Sequence, residues 1–520
     1  MNSFMSVHQD KVIGNLTMFD RMIFKGHLTM FYPDGAFGRF LYTQGVLLKN
    51  FKTYVPTISL IVKTHAQQVA RELGRPFIYL EKATTKATGQ SKEDLARSVA
   101  ARDGITEGLI CVLSVLEPCS SFGVRGNPQT HRLEVVRANR RCLHFYFYFI
   151  DPEFGFMHVK LQSWFPFQIQ LYSNGREWLA KQLDKRGVGY SRYENSFISI
   201  ENMAIAERLC EHFAHRKWPR VLNGFAKKVN PLLPLIKQSG FGGYYWVLDQ
   251  GEIATDIMFG DRKTLQAIMP DLFDHALKEF SAEDVMKFLG RKLHGNFLGE
   301  VITDHKKRPE GRRVKHRMKR NSIKIYDKWS ILRVETTINN PREFKVLRVV
   351  ETRGRTKRRW MPMGKSVAHL WRFFQIGKQT NHRYLEALAQ VTLKGEAVKE
   401  LDSLCRSVVK NGKRHGKFNP LTKRDLVLFR IVLFGEHVIN GFRNSDICKQ
   451  LYPQPGSDPF ERKRKCARVS RMIAKLRGHG LICKVKNSYL YRVTRRGYRT
   501  ISACLDFYQD SFPYAYLQRA

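Results

Sequence analysis

Along the first 200 residues, apolar positions switch between two spacings. Short runs alternate with polar residues, as in a half-buried strand, and others recur every third or fourth position, as on one face of a helix. Residues 75–82 (RPFIYLEK) and 108–116 read as strands, and 91–102 as a helix with Ser91 at its N-cap and Asp94 in its first turn. Two β-rich runs, 142–150 (CLHFYFYFI) and 156–172, flank Asp151-Pro152-Glu153-Phe154-Gly155, whose turn chemistry predicts a hairpin. Asn174 caps a predicted helix over 175–185, and a strand follows at 196–200.

Residues 201–235 read as helix and then loop, punctuated by Pro219, Pro231 and Pro234. A second α/β run follows: strand-rich 244–259, a helix over 262–280, and a short helix capped by Ser281 with Asp284 in its first turn. Strands at 322–326 and 331–338 come next, then helices to about residue 398. The fold class this predicts is α/β (α+β) and multidomain. The expected units are an N-terminal α/β domain (1–200), a helical linker (201–243), a basic α/β domain that binds nucleic acid (244–398), a basic linker (399–425), a C-terminal domain (426–505) and a tail (506–520). No repeat of solenoid length recurs.

The C-terminal domain carries the sharpest pattern. Residues 426–438 form an apolar-periodic helix, 441–445 (GFRNS) a turn, and Ser445 caps a short helix ending near Tyr452. In the long helix over 461–478, Val469, Met472, Ile473 and Leu476 recur at helical spacing, while Arg462, Lys463, Arg464, Lys465, Arg468, Arg471 and Lys475 fill the other face. Residues 481–485 and 489–493 alternate around Lys486-Asn487-Ser488, a hairpin of wing dimensions. This order of elements resembles the winged-helix domains of bacterial transcription regulators. The resemblance implies that the 461–478 helix enters the major groove and the wing lies on the backbone.

Charge changes the picture. The 520 residues hold 89 Lys plus Arg against 46 Asp plus Glu, a net charge of +43, with an isoelectric point near 10.1. Such a surplus repels itself unless a polyanion neutralises it, so the leading partner is nucleic acid, DNA or a structured RNA, and an ordinary metabolic enzyme is disfavoured. The nine cysteines include no Cys-x-x-Cys pair and fit neither a secreted disulfide framework nor a zinc ribbon. The longest apolar runs, 142–150 and 426–435, fall short of the ~20 residues of a membrane span. Asp10 and Lys11 interrupt any signal-peptide core. The expectation is a soluble, cytoplasmic protein with no membrane partner.

The surplus peaks between His305 and Lys328, with Lys306, Lys307, Arg308, Arg312, Arg313, Lys315, Arg317, Lys319, Arg320, Lys324 and Lys328. Arg358 and Arg359 belong to a second cluster with Arg353, Arg355 and Lys357. Both strips suit phosphate neutralisation, and Trp329, Trp360, Trp371 and Tyr384 are either stacking surfaces or core residues. Within the first strip, Ser322-Ile-Lys-Ile-Tyr-Asp-Lys328 followed by Leu332-Arg-Val-Glu335 resembles a strand pair of the replication initiators of small plasmids and filamentous phages. That resemblance implies nicking, replication or transposition through a nucleophile and a metal, with Lys324, Tyr326, Asp327, Lys328, Arg333 and Glu335 lining the sheet. The His-x-His signature of the better-defined nickases is missing from the 17 histidines.

Two carboxylate groups are candidates for Mg²⁺-dependent strand cleavage, which gathers acids at strand ends. Asp20, Glu117 and Asp151 each lie in or at the end of an apolar strand pattern. Asp256, Asp304, Asp327 and Glu335 lie in the basic region. Cys210, His212 and His215 share a predicted helix, but Cys210 and His212, two positions apart, do not face each other, and the three read as structural. Three functions fit: DNA processing by a protein of a mobile or self-replicating element, in an initiator- or transposase-like way; packaging of a large structured RNA as a ribonucleoprotein; and transcription regulation.

Overall fold

The structure, a computed structural model, describes residues 3–31, 35–81, 89–290, 300–308, 311–352, 355–389, 397–410, 412–454 and 458–517. The strands of its first part are β1 (Val12–Leu28), β2 (Phe77–Leu80), β3 (Gly108–Gly126), β4 (Leu133–Asp151), β5 (Gly155–Gln162), β6 (Ile169–Asn174), β7 (Tyr190–Tyr193) and β8 (Ser196–Ile200). Further along come β9 (Tyr244–Phe259), β10 (Val301–Arg308), β11 (Gly311–Met318), β12 (Asn321–Lys328), β13 (Ile331–Ile338), β14 (Lys345–Thr352) and β15 (Arg355–Pro362). Eleven of them form one mixed sheet in the order β10-β11-β12-β13-β9-β1-β6-β5-β4-β3-β2, while β7–β8 and β14–β15 are separate hairpins.

The sheet traces the same path twice. β1 leads through helices into the antiparallel meander β3–β4–β5–β6, whose last strand returns to flank β1. β9 leads through helices Arg262–Lys278 and Ala282–Phe288 into the meander β10–β11–β12–β13, whose last strand returns to flank β9. The two paths meet where β1 pairs antiparallel with β9. The strands of 1–200 and of 244–398, expected in separate domains, therefore share one sheet.

Helices pack on both faces of it: helix Lys92–Arg102 buries Ala96 and Val99 against Leu113, Val115, Tyr146 and Tyr148 on one face, and the larger core lies on the other. In β1, Met18, Met22 and Phe24 point into the larger core, while Arg21, Ile23, Lys25 and His27 face the other way. Helix Phe51–Glu72 packs on the core side through Val55, Ile58 and Val62. Helices Met203–Ala214 and Trp218–Val229, in the stretch expected as a linker, bury Leu209, Phe213, Trp218 and Leu222 in the same core. Helix Leu370–Leu388 ties the two halves together, with Phe373 and Phe374 in the larger core and Tyr384, Leu385 and Leu388 in the second. At Gly377 it passes so close to β9 that a Cβ would collide with Ile253, and Asn381 donates to the Ile253 carbonyl at 3.0 Å.

Local signals placed several helix ends. Ser91 with Asp94 and Ser281 with Asp284 form reciprocal capping boxes, and the Asn174 side chain accepts from the Arg176 amide at 2.8 Å. Such caps contribute about 1 kcal/mol each.

The C-terminal unit has a third core of its own. Helices Lys423–Val432, Gly435–Asn440, Asn444–Leu451, Pro459–Gly478 and Arg495–Asp506 enclose it with the hairpin β18 (Ile482–Lys484) and β19 (Tyr491–Val493). The expected single helix over 426–438 is broken after Val432, where Phe434 takes an extended backbone. The stretch expected as a basic linker holds helix Ala397–Leu404 and the hairpin β16 (Val408–Lys410)–β17 (Lys413–His415), and joins this core through Leu404 and Phe418. Residues 507–517 continue helically. No helix among the described residues is long and apolar enough to cross a membrane.

Candidate nucleic-acid interface

On the face of β11–β13 turned away from the second core, the sheet's open face, strand alternation sorts the basic strip. In β11, Val314, His316 and Met318 are buried, which sends Arg313, Lys315 and Arg317 to the open side. The register carries this row across the sheet: Arg313 pairs with Tyr326 and Lys315 with Lys324, then Tyr326 with Arg333 and Lys324 with Glu335. Asp256 of β9 lies beside Arg333. The expected continuous strip is thus spread over three neighbouring strands, β10, β11 and β12. Lys306 and Lys307 are exposed on β10, Lys319 and Arg320 sit in the β11–β12 turn, and the Arg308 side chain lies outside the described residues.

At the junction of the two halves four charged groups are buried together. Arg333 donates from Nε to Asp256 Oδ1 at 2.7 Å, from Nη2 to Asp256 Oδ2 at 3.0 Å and from Nη1 to Asp20 Oδ2 at 2.9 Å. Arg176 reaches Asp256 Oδ2 at 2.5 Å. Asp20 occupies an irregularity in β1 pairing between Phe19 and Met22, and also accepts from Asn174 and Asn195. Burial pushes both carboxyls up, but the two arginines more than offset it and hold them below the usual range. The β7–β8 hairpin covers the cluster, with Ser196 Oγ accepting from Arg333 Nη2 at 2.5 Å.

Beside this cluster lies a cleft of about 240 Å³ lined by Glu194, Gly311, Arg312, Arg313, Lys324, Tyr326, Asp327 and Lys328. The Tyr326 hydroxyl donates to Glu335 Oε2 at 2.8 Å and accepts from Arg333 Nη1 at 3.5 Å. Lys324 Nζ lies 2.6 Å from Glu335 Oε1. Burial, then the negative charge of Glu335, raises the Tyr326 phenol well above its ordinary value. Gly311 is required here, because a Cβ would run into the Asp327 carboxylate. Burial also raises Asp327, and it pushes Glu252, with help from the neighbouring Glu335, up to about 7. Lys315 is lowered by burial and then by Lys324 and Arg313, so cations here repel one another. Lys315 and Arg317 have no ion-pair partner among the described residues.

The proposed acidic triad does not assemble. Asp20 belongs to the buried cluster. Glu117 is held by Lys92 at 3.0 Å, Lys160 at 2.6 Å and Tyr146 at 2.9 Å, and these lysines keep it at about 2 against its burial. Asp151 accepts from the Glu153 and Phe154 amides in the hairpin turn, and on β4 it lies roughly 30 Å from Cys142, the residue paired with Glu117. The second group is split as well: Asp304 pairs with Arg313, Asp256 is in the buried cluster, Glu335 is bound to Tyr326 and Lys324, and Asp327 sits farther along β12. Among the described residues, no three His, Cys, Asp or Glu side chains are grouped to hold a metal ion.

Two further basic surfaces stand apart. On helix Pro459–Gly478, Val469, Ile473 and Leu476 are buried and Arg462, Lys463, Arg464, Arg468 and Arg471 exposed. Lys465 instead pairs with Glu461 over Tyr452, and Lys475 lies 3.8 Å over Phe418 near Asp425, so these two serve packing. On the β14–β15 hairpin, Arg358, Arg359 and Trp360 are exposed. Trp329 is also exposed, whereas Tyr384 is fully buried and Trp371 packs against the larger core. Sequence reasoning missed Arg137, Arg140 and Arg141, exposed on the long outer half of β4; their signal was the polar alternation that continues upstream of the apolar run. No protein-family model, curated protein or solved structure matches this chain.

Proposed function

We propose that the protein binds nucleic acid and acts on DNA in the manner of a replication initiator or transposase of a mobile or self-replicating element, inside the cell. The carrying observation is the Tyr326 hydroxyl, hydrogen-bonded to Glu335 at the edge of a cleft walled by Arg312, Arg313, Lys324 and Lys328. Those cations suit the phosphate of a strand laid on the sheet. The phenol rests protonated, so Glu335 is the base that takes its proton as Tyr326 Oη attacks phosphorus. The Oη–P bond forms, the bond from phosphorus to the leaving sugar oxygen breaks, and that oxygen takes a proton from water. Arg333 faces the hydroxyl and stabilises negative charge that develops there. The exposed arginines of helix Pro459–Gly478, read as a recognition helix, supply a second DNA contact.

The test incubates the full chain with single-stranded and supercoiled DNA, with and without Mg²⁺. The expected product is a nicked strand joined to protein in a denaturant-stable adduct, lost in Tyr326→Phe. Absence of DNA binding near 0.1 M salt, or cleavage undiminished in Tyr326→Phe, would sink the proposal. Selective, turnover-free binding of one folded RNA would replace it with a ribonucleoprotein role.

A further inference from the structure

One feature at the mouth of the cleft is not needed for the proton transfer above. The turn after β12 carries Trp329 at φ +58°, and the turn after β7 carries Glu194 at φ +53°. A bulky residue in the left-handed region is strained, and a small or flexible one would fill this turn at lower cost. The strain is held from both sides: the Phe259 amide donates to the Ser330 carbonyl at 2.9 Å. Lys328 Nζ, which lies 2.7 Å from both Glu194 Oε2 and Asn195 Oδ1, ties the two turns together. The result is a stack at the surface. The Tyr193 and Trp329 rings lie 5.4 Å apart at 20°, with the Arg262 guanidinium 5.1 Å over Trp329. Tyr193 is 38% and Trp329 45% exposed. Burying these rings does not explain them, because much of their surface stays in water.

We propose that the Tyr193–Trp329 pair is a stacking platform for one unpaired base of a single-stranded DNA whose adjacent phosphate lies in the Tyr326 cleft. The inference rests on the nucleic-acid reading of that cleft and adds the form of the substrate: a strand with an unstacked base. Three observations support this occupant. Lys328 lines the cleft and Trp329 follows it directly in the chain, so a base and its neighbouring phosphate span that short distance. Arg262 lies over the Trp329 ring and Arg312 and Lys328 line the adjoining cleft, which suits a polyanion rather than an apolar partner. The ring surface that stays exposed beside the Arg262 guanidinium accepts any base, since stacking is tolerant of sequence.

The experiment measures binding of the full chain to single-stranded DNA of roughly 16 nucleotides, carrying one abasic site at successive positions. At one position the abasic site is expected to weaken binding by roughly 5- to 100-fold. Trp329→Ala loses a similar factor on intact DNA and no longer responds to that abasic site, whereas Trp329→Phe keeps most of the affinity. Tyr193→Ala, at the other turn, gives the same result should Trp329→Ala fail to fold. A fully paired duplex shows no dependence on Trp329. The platform is refuted if no abasic position matters, or if folded Trp329→Ala binds as tightly as the parent. Arg313→Gln with Lys324→Gln separates the two claims: uniform weakening of every oligonucleotide retains the cleft reading even when the platform fails, and an unchanged affinity removes that reading. Tighter binding to RNA of the same sequence, with the same Trp329 dependence, would overturn the DNA assignment.

Discussion

At the scale of single residues, Arg333 matters most to the site's integrity. It is the shared partner of Asp20 and Asp256, and none of the three has appreciable contact with water. Removing one member of a buried ionic cluster leaves uncompensated charge, which costs about 3–5 kcal/mol. Arg333→Met is expected to lose about that much stability in urea unfolding, and a loss below about 1 kcal/mol would show that Arg176 alone suffices. Glu252 has the opposite sign. Its carboxyl is raised to about 7, so between its ordinary value and that point the native state binds more protons than the unfolded chain. Stability therefore falls as pH rises through this window. Glu252→Gln, which no longer ionises, is expected to be more stable than the parent at pH 8 by about 1–2 kcal/mol, allowing for partial solvent screening, and no more stable at pH 4. A parallel pH profile for parent and variant would show that Glu252 ionises at no cost.

At the scale of elements, what the sequence made legible was local. Ser91, Asn174 and Ser281 mark helix starts because caps act within one turn. The buried face of helix Pro459–Gly478 was legible from Val469, Ile473 and Leu476. What stayed hidden depended on distant partners. The alternation in 305–320 was masked because Lys and Arg occupy both strand faces, so the strip showed charge and the strand at 322–326 but not β10 and β11 before it. The carboxylates looked like ligands because an Asp within an apolar strand needs a partner; Asp20's partners are Arg176, two residues past β6, and Arg333 on β13. Helix Pro459–Gly478 also shows how burial divides like residues. Changing exposed Arg462, Arg464, Arg468 and Arg471 to Gln is expected to leave stability within about 0.5 kcal/mol while lowering the salt slope of DNA binding by about 3–4. Lys475→Gln, which loses the contact with Phe418, is expected to affect stability instead. Equal slopes for the quadruple variant and the parent would place the phosphates off this helix.

At the scale of the whole molecule, the seam between β1 and β9 joins residues well over 200 positions apart, which no local pattern reports and which turns two expected domains into one sheet. The C-terminal unit keeps its own core yet touches the sheet unit, through Lys287 Nζ to Glu436 Oε2 at 3.3 Å and Arg495 to the Ser6 carbonyl at 2.9 Å. Two basic surfaces on one connected body raise each other's effective concentration on a shared strand. If the open sheet face and helix Pro459–Gly478 grip the same DNA, their counterion terms add. Neutralising Arg312, Arg313, Lys315 and Arg317 is expected to lower the salt slope by about 3–4, neutralising the four helix arginines by a similar amount, and both together by about 7. On an oligonucleotide too short to span both surfaces, only one set is expected to matter. Additive slopes on long DNA that become exclusive on short DNA establish a bipartite grip. Slopes that fail to add on long DNA mean that the two surfaces hold separate ligands, and the C-terminal unit would then be recruiting a second nucleic acid to the sheet that binds the first.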